Sequence, residues 1–288
     1  MKRKLIILSV IFILIPFIKV NAQSDVLDGV YVKEHVPARK PIPYHYLREA
    51  DVAWSKKIWR ILDLREKINF PLYYPTTPLD DRYSLIDLLI YGVENDGMVV
   101  YDTDDDEFTT PITLKGIDEN FGAINDTQFI EDPVTGEMNQ KIIPGERTTS
   151  EVTRYLMKEV WFFDKQRSKM EVRIVGLCPI RLYAKDDVEA DNGDVQGILT
   201  QKLTFWVYFP AARNLFADHE VFNTKNDAER RTFEDIFFKR RFKSYIYQET
   251  NVYDNRRINQ YTKGLDSQLE AEKIKMNMFR IEHDLWEF

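Results

Sequence analysis

The sequence is poor in the residues that mark several specialised protein classes. Its 288 residues include one cysteine, 11 glycines and four histidines. One cysteine cannot form an intrachain disulfide, which excludes the small disulfide-rich scaffolds, and so little glycine excludes a collagen repeat. No phosphate loop, dinucleotide fingerprint, hydrolase elbow or HExxH motif occurs. What the chain does have is 44% hydrophobic and 13% aromatic residues, enough for a packed core without staples.

The first 22 residues have the pattern of a secretory signal peptide. Basic residues 2–4 precede an apolar run over residues 5–18, and residues 20–22 fit a cleavage site. An uncleaved membrane anchor is the alternative, but the run falls short of the roughly 20 residues that a span needs, and Pro16 interrupts it. We therefore expect an exported chain, and one without a lipid, because Cys178 lies far from the cleavage point.

Removal of this segment makes the chain strongly acidic. Residues 1–22 contain four basic residues and no acid, so the formal charge moves from −7 to −11 when they are lost. Such a charge repels phosphate, which argues against nucleic acid or an anionic membrane as a partner. Proteins or cations are the partners that the charge favours.

Periodicity and turn residues predict an α+β fold, in which an antiparallel β-meander packs with helices. It follows a smaller N-terminal region of helix and hairpin. The predicted divisions are a signal peptide (1–22), an extended arm (23–45), the helix and hairpin region (46–118), a connection (119–147) and the principal α+β region (148–288). The sequence leaves open whether the proline-containing arm is floppy or is laid along a neighbour.

Within these divisions, apolar residues at steps of three and four predict helices over 47–67, 84–93 and 226–247, and a last helix from Ser267. A hairpin is predicted from strands 98–101 and 108–114. A helical turn is predicted at 148–151, followed by strands over 159–165, 171–184 and 198–211. On the last strand Leu203, Phe205, Val207 and Phe209 form the core face, so Trp206 and Tyr208 on the opposite face also need a cover.

Two acidic turns and one basic cluster are the charged features with a functional alternative. Residues 102–107 begin like a calcium loop but lack its glycine and its final bidentate acid, so a solvated turn is favoured. Residues 186–194 have the same interpretation. Lys239, Arg240, Arg241 and Lys243 form either a solvated helix face or a docking patch for an acidic partner. Cys178 lies in an apolar strand, which favours a buried inert thiol over a catalytic one.

Five segments carry a family resemblance, in order and over nearly the whole mature chain. They are LREADVAWSKKIWRILDLREKINFPLYYP (47–75), KEVWFFD with VGLCPI (158–164 and 175–180), FWVYFPAARN (205–214) and FEDIFFKRRF (233–242). The chain resembles the GldN family of Bacteroidetes gliding-motility proteins, also called PorN. The likeness lies in framework segments and names no catalytic residue, cofactor or metal ligand.

The resemblance implies a periplasmic component of the type IX secretion system. It implies homo-oligomeric contacts in a ring beneath the outer membrane, built with the lipoprotein GldK or PorK. It also implies contact with the periplasmic part of the inner-membrane motor subunit GldM or PorM. A chain without a lipid would reach the outer membrane only through a partner.

Two hypotheses of function follow. In the first, the chain is a non-catalytic structural subunit, and its candidate partner-binding residues are the aromatic and arginine side chains that dominate interfaces: Trp54, Trp59, Trp206, Arg240 and Arg241. For Trp54 and Trp59 a core position is the favoured alternative. In the second, the chain is an exported carbohydrate-binding protein or hydrolase with Asp186 and Glu189 as catalysts, which no placed pair of carboxylates supports.

Overall fold

The computed structural model describes residues 39–79, 82–123, 126–131, 138–143, 145–185, 198–226 and 228–286. Its twelve strands in these ranges are β1 Val52–Asp63, β2 Val100–Tyr101, β3 Pro111–Ile112, β4 Asp126–Glu131, β5 Met138–Ile143, β6 Val152–Asp164, β7 Lys169–Lys185, β8 Ile198–Leu203, β9 Trp206–Tyr208, β10 Glu220–Val221, β11 Arg231–Thr232 and β12 Tyr245–Glu249. The helices are α1 Phe70–Tyr73, α2 Leu85–Glu94, α3 Leu114–Phe121, α4 Phe209–Asp218, α5 Phe233–Phe238 and α6 Leu265–Trp286.

An eight-stranded antiparallel sheet organises the fold, and the predicted α+β class is confirmed. The strand order is β12-β1-β6-β7-β9-β2-β3, with β8 also paired to β7. β6 and β7 pair along almost their whole length, as the predicted meander requires. The predicted hairpin is confirmed by the pairing of β2 with β3, although only two residues of each arm are strand.

The predicted helix over 47–67 is wrong, because this stretch forms the long strand β1. Its residues alternate between half-buried and exposed up to Lys57, and from Ile58 onward both faces of the strand are covered. Ile58 and Trp59 are buried on opposite faces, as are Ile61 and Leu62. These two pairs, with one residue between them, put apolar side chains at intervals of three and four. That is the spacing of a helix, and it is why the periodicity predicted one.

The predicted helix over 226–247 is also wrong. Only α5 is helical there, and the segment ends in β12, which pairs with β1. The helix begins at Phe233 and is capped by Thr232, whose Oγ1 accepts a hydrogen bond from the Asp235 N–H at 3.2 Å in a capping box. It stops before Arg240, which has a positive φ of 50°.

The predicted strand over 198–211 is divided in two and ends earlier than expected. Between β8 and β9 the Thr204 side chain bonds to the Pro179 carbonyl, and α4 begins at Phe209 with Pro210 in its first turn, a position that suits proline. Phe205, Val207 and Phe209 are buried in the main core as predicted. Leu203 is instead partly buried in a different cluster.

Of the remaining predicted helices and turns, some are confirmed and one differs in its capping. The helix over 84–93 is confirmed by α2, capped by the Ser84 side chain. A 3-10 turn occupies Thr149–Glu151, but the Thr148 side chain does not cap it. The last helix is confirmed by α6, which starts two residues before Ser267. α3 and the β4–β5 hairpin were not predicted.

The buried apolar side chains form one main core and two smaller clusters. The main core lies where α2, α4 and α5 pack against the sheet. A second cluster joins β1 and β12 to the inner face of α6. The third surrounds Trp59, Cys178 and Trp206. The predicted cover of the opposite face is thus confirmed for Trp206, whereas Tyr208 stays 40% exposed and there the prediction is wrong.

Candidate interaction surface

Trp59 and Trp206 are buried in the fold, with exposed fractions of 5% and 2%. The indole N–H of Trp59 donates to Oδ2 of Asp106 at 2.6 Å. Phe108 packs edge-on against Trp206, with ring centroids 5.9 Å apart. The turn between β2 and β3 therefore covers this face of the sheet, and both tryptophans stabilise the single chain. That either residue binds a partner stays a prediction.

The acidic turn at 102–107 is tied to the body of the protein by Asp106. Lys158, only 5% exposed, donates from Nζ to the Asp106 carbonyl at 2.6 Å and lies 3.2 Å from Oδ1 of the same residue. Asp102 and Asp105 accept hydrogen bonds from backbone N–H groups of the turn itself. These carboxylates thus order the turn and hold it on the sheet.

Trp54 is half-buried and packs against the cluster beneath α6. Its neighbours there include Ile58 on the same strand and Ile274 on the helix. The candidate interface residue thus serves first to hold α6 on the sheet, in line with the core alternative for this position.

Arg240 belongs to a polar cluster with a fully buried acid. Its Nη1 lies 2.8 Å from Oε1 of Glu159, an ion pair rather than an aligned hydrogen bond, and Glu159 is 0% exposed. Trp161 donates its indole N–H to the other Glu159 oxygen at 2.9 Å, and the guanidinium lies 5.5 Å from the Trp161 ring centroid. Nearby, burial lowers the pKa of Arg60. Arg240 thus compensates a buried charge.

Of the four cations in the predicted docking patch, only Arg241 has a side chain without an ion pair in the described part of the chain. Lys239 pairs with Asp235, and Lys243 pairs with Glu66. Arg241 is exposed, and the structure uses only its backbone N–H, which donates to the Ile236 carbonyl. A docking patch here would rest mainly on one free guanidinium.

The helix α6 has two apolar faces. Its inner face buries Ala271, Ile274 and Met278. On the other side the exposed fractions are 69% for Leu265, 59% for Leu269, 48% for Met276 and 60% for Phe279. Because these residues follow at intervals of four, seven and three, they form one line along the helix, which we call the outer stripe.

The outer stripe is the surface that sequence analysis missed. The loop before α6 also exposes apolar side chains, with Val252 90% and Tyr253 65% exposed. Exposed apolar residues aligned on one face of a helix are typical of a protein-binding surface. The available signal was that apolar residues on α6 occupy more than one face of the helical projection.

The remaining features bear on possible chemistry: metal ligands, the lone thiol and the acidic pair of the second hypothesis. No three His, Cys, Asp or Glu side chains there stand together as metal ligands. Burial raises the pKa of Cys178 to about 12, so its thiol is not a nucleophile at neutral pH. Asp186 and Glu189 lie outside the described residues. No helix among the described residues is long and apolar enough to span a membrane.

Comparison with known proteins places this architecture in a family. The family model described as gliding motility associated protein GldN matches residues 47–287. The match covers β1 through α6 and therefore includes the sheet, the cores and the outer stripe. No curated protein matches the chain.

Proposed function

Because this chain belongs to the GldN family of gliding motility associated proteins, we propose that it is a non-catalytic periplasmic subunit of the type IX secretion and gliding machinery. Membership implies involvement in gliding motility and type IX secretion. The finer proposal is that copies of the chain assemble with the lipoprotein GldK or PorK into a ring at the outer membrane. The ring then couples to the periplasmic part of the motor subunit GldM or PorM.

The family match is the observation that carries the proposal, and the surface supports it. An assembly subunit needs exposed area that remains apolar, and the outer stripe offers this on a rigid helix. The acidic charge and the signal-like first 22 residues suit export and protein partners.

The test is the location of the chain in cells with and without the lipoprotein. We expect it to fractionate with the outer membrane in the parent strain and with the soluble periplasm once the lipoprotein gene is deleted. A control deletion of an unrelated outer-membrane lipoprotein should change nothing. Retention at the outer membrane without GldK or PorK would contradict the proposed partner.

A further inference from the structure

The first described residues form an extended strap, defined here as residues 39–45, that lies on the body like a bound peptide. It is neither helix nor strand. Pro41 and Pro43 have no N–H and therefore cannot join a β-ladder. Within the described ranges, none of its backbone groups bonds to a backbone group of the body. Every hydrogen bond or ion pair described between the strap and the body therefore involves at least one side chain.

The body recognises the strap at its carbonyl groups and at its first residue. Arg213 donates from Nη2 to the Ile42 carbonyl at 2.6 Å, and Arg173 donates from Nη2 to the His45 carbonyl at 2.8 Å. At the other end Arg39 pairs with Asp235 at 2.9 Å. Arg213 is itself held by Glu234, which accepts from its Nε at 2.9 Å. The groove thus binds carbonyl groups of the strap through two arginines and the Arg39 side chain through a carboxylate, and its Arg213–Glu234 pair is buried.

Tyr44 is the anchor of the strap. Its ring centroid lies 4.0 Å from the Arg213 guanidinium carbon and 5.0 Å from that of Arg173. Two cations over one ring form a desolvated cation–π contact, the strong kind. A single aromatic side chain between two arginines is the arrangement by which a surface recognises a short extended peptide.

The strap does not fill its groove. A cavity of about 490 Å³ remains between residues 42–45 and the body, lined on the other side by Phe237 and Phe238 among others. Nε2 of His45 lies 3.5 Å from Asp164 and 3.4 Å from Glu171 without an aligned hydrogen bond. Oε2 of Glu234, a residue only 8% exposed, has no hydrogen-bond partner in the described part of the chain. The strap therefore packs less completely on the body than the core residues pack on one another, as is typical of segments that can open locally.

A hinge follows the strap directly. Tyr46 is 89% exposed, and the chain is next fixed in the turn Glu49–Asp51. The strap also lies before residue 47, where the family match begins. It can therefore swing away without disturbing the matched fold.

We propose that the groove also accepts the strap of a second copy of this chain, so that neighbouring copies are joined by strap exchange. Every contact made within one chain is available between two chains, since the sequences are identical. Exchange therefore changes the free energy little, because the same contacts are kept. It is also favoured in an assembly, where the effective concentration of a neighbour's strap is high. This inference rests on the proposed function in so far as it needs neighbouring copies.

The first test measures binding of the strap in trans. A fluorescent peptide of residues 39–46 is titrated onto the full chain carrying Arg39→Glu and Tyr44→Ala, which weakens the strap in cis. We expect saturable binding, with the wild-type chain binding more weakly because its own strap competes. A control peptide with Tyr44→Ala should bind on the order of tenfold more weakly. Equal binding of the two peptides, or none, would overturn the inference.

The second test asks whether exchange occurs in the assembly. Arg39→Cys and Asp235→Cys are introduced together and linked with a short bismaleimide in intact envelopes; Cys178 is buried and does not compete. Exchange predicts a ladder of linked chains, with either single cysteine as the control. Products linked only within one chain, recovered from a large particle, would leave the proposed function standing and overturn strap exchange.

Discussion

The two helical layers on the sheet differ in how completely one chain buries them. In the main core Phe216, Phe233 and Phe237 are at most 2% exposed, and the rings of Phe216 and Phe237 lie 5.5 Å apart. In α6, by contrast, Ile274 is buried while Phe279 on the outer stripe is 60% exposed. The layer of α4 and α5 buries its apolar side chains within the single chain. The α6 layer buries them on its inner face only, and its outer stripe is left available for association with another protein.

The largest expected effect lies in the complete layer. Phe237→Ala should lower the free energy of unfolding by about 3–5 kcal/mol, because it leaves a cavity among interlocked rings that cannot easily collapse. Urea denaturation of the purified chain measures it. A loss below about 1 kcal/mol would mean that this layer is as loosely packed as the α6 layer, and the comparison would fail.

The next effect concerns the two neighbouring arginines of the predicted patch. Arg240→Ala should cost about 3 kcal/mol of unfolding free energy, since it leaves the fully buried Glu159 without its cation. Arg241→Ala is the matched control and should stay within about 0.5 kcal/mol. The same denaturation experiment gives both values. Similar losses for the two variants would show that Glu159 does not depend on Arg240.

The sequence predicts the secondary structure of some regions of this molecule better than that of others. α2 was predicted because the Ser84 cap and closely spaced apolar residues mark it, and β7 because turn residues precede a stretch rich in β-branched side chains. Of β6 only the second half was predicted, since the strand begins at Val152 rather than at 159. β1 was misread because both its faces are buried beyond Lys57, a fact that depends on what the rest of the chain packs against it. The outer stripe was not predicted, since an apolar residue does not reveal whether its own chain covers it.

The same limit applies to the candidate binding residues. Trp206 carries no local sign that Phe108, nearly a hundred residues earlier, would cover it. Arg240 and Arg241 are chemically identical and adjacent, yet only one faces a buried acid. The positive φ of Arg240 turns its side chain toward Glu159, and such a backbone conformation is not encoded by an arginine.

A smaller loss is expected on the inner face of α6. Ile274→Ala should lower the unfolding free energy by about 2 kcal/mol, at the lower end for a buried aliphatic residue, because its cluster lies at the edge of the sheet and can relax. Circular dichroism during urea denaturation would report this value. A loss as large as that of Phe237→Ala would place α6 in the same cooperative core and remove the distinction between the layers.

The smallest effect on stability should come from the outer stripe, where Leu269→Ser with Phe279→Ser is expected to change the unfolding free energy by less than about 1 kcal/mol. Retention of the chain by its outer-membrane partner should nevertheless fall. A pull-down of the lipoprotein from envelope extracts measures that retention. Glu282→Ser serves as a control away from the stripe. Unchanged retention of the double variant would remove the stripe from the interface.

The size of the native particle tests the central claim most directly. Envelopes of the source organism are extracted in mild detergent, and the chain is followed by size-exclusion chromatography with its lipoprotein partner. The account predicts that both elute together in a particle far larger than the 34.2 kDa chain. Recovery of the chain from intact envelopes only as a free monomer would contradict it.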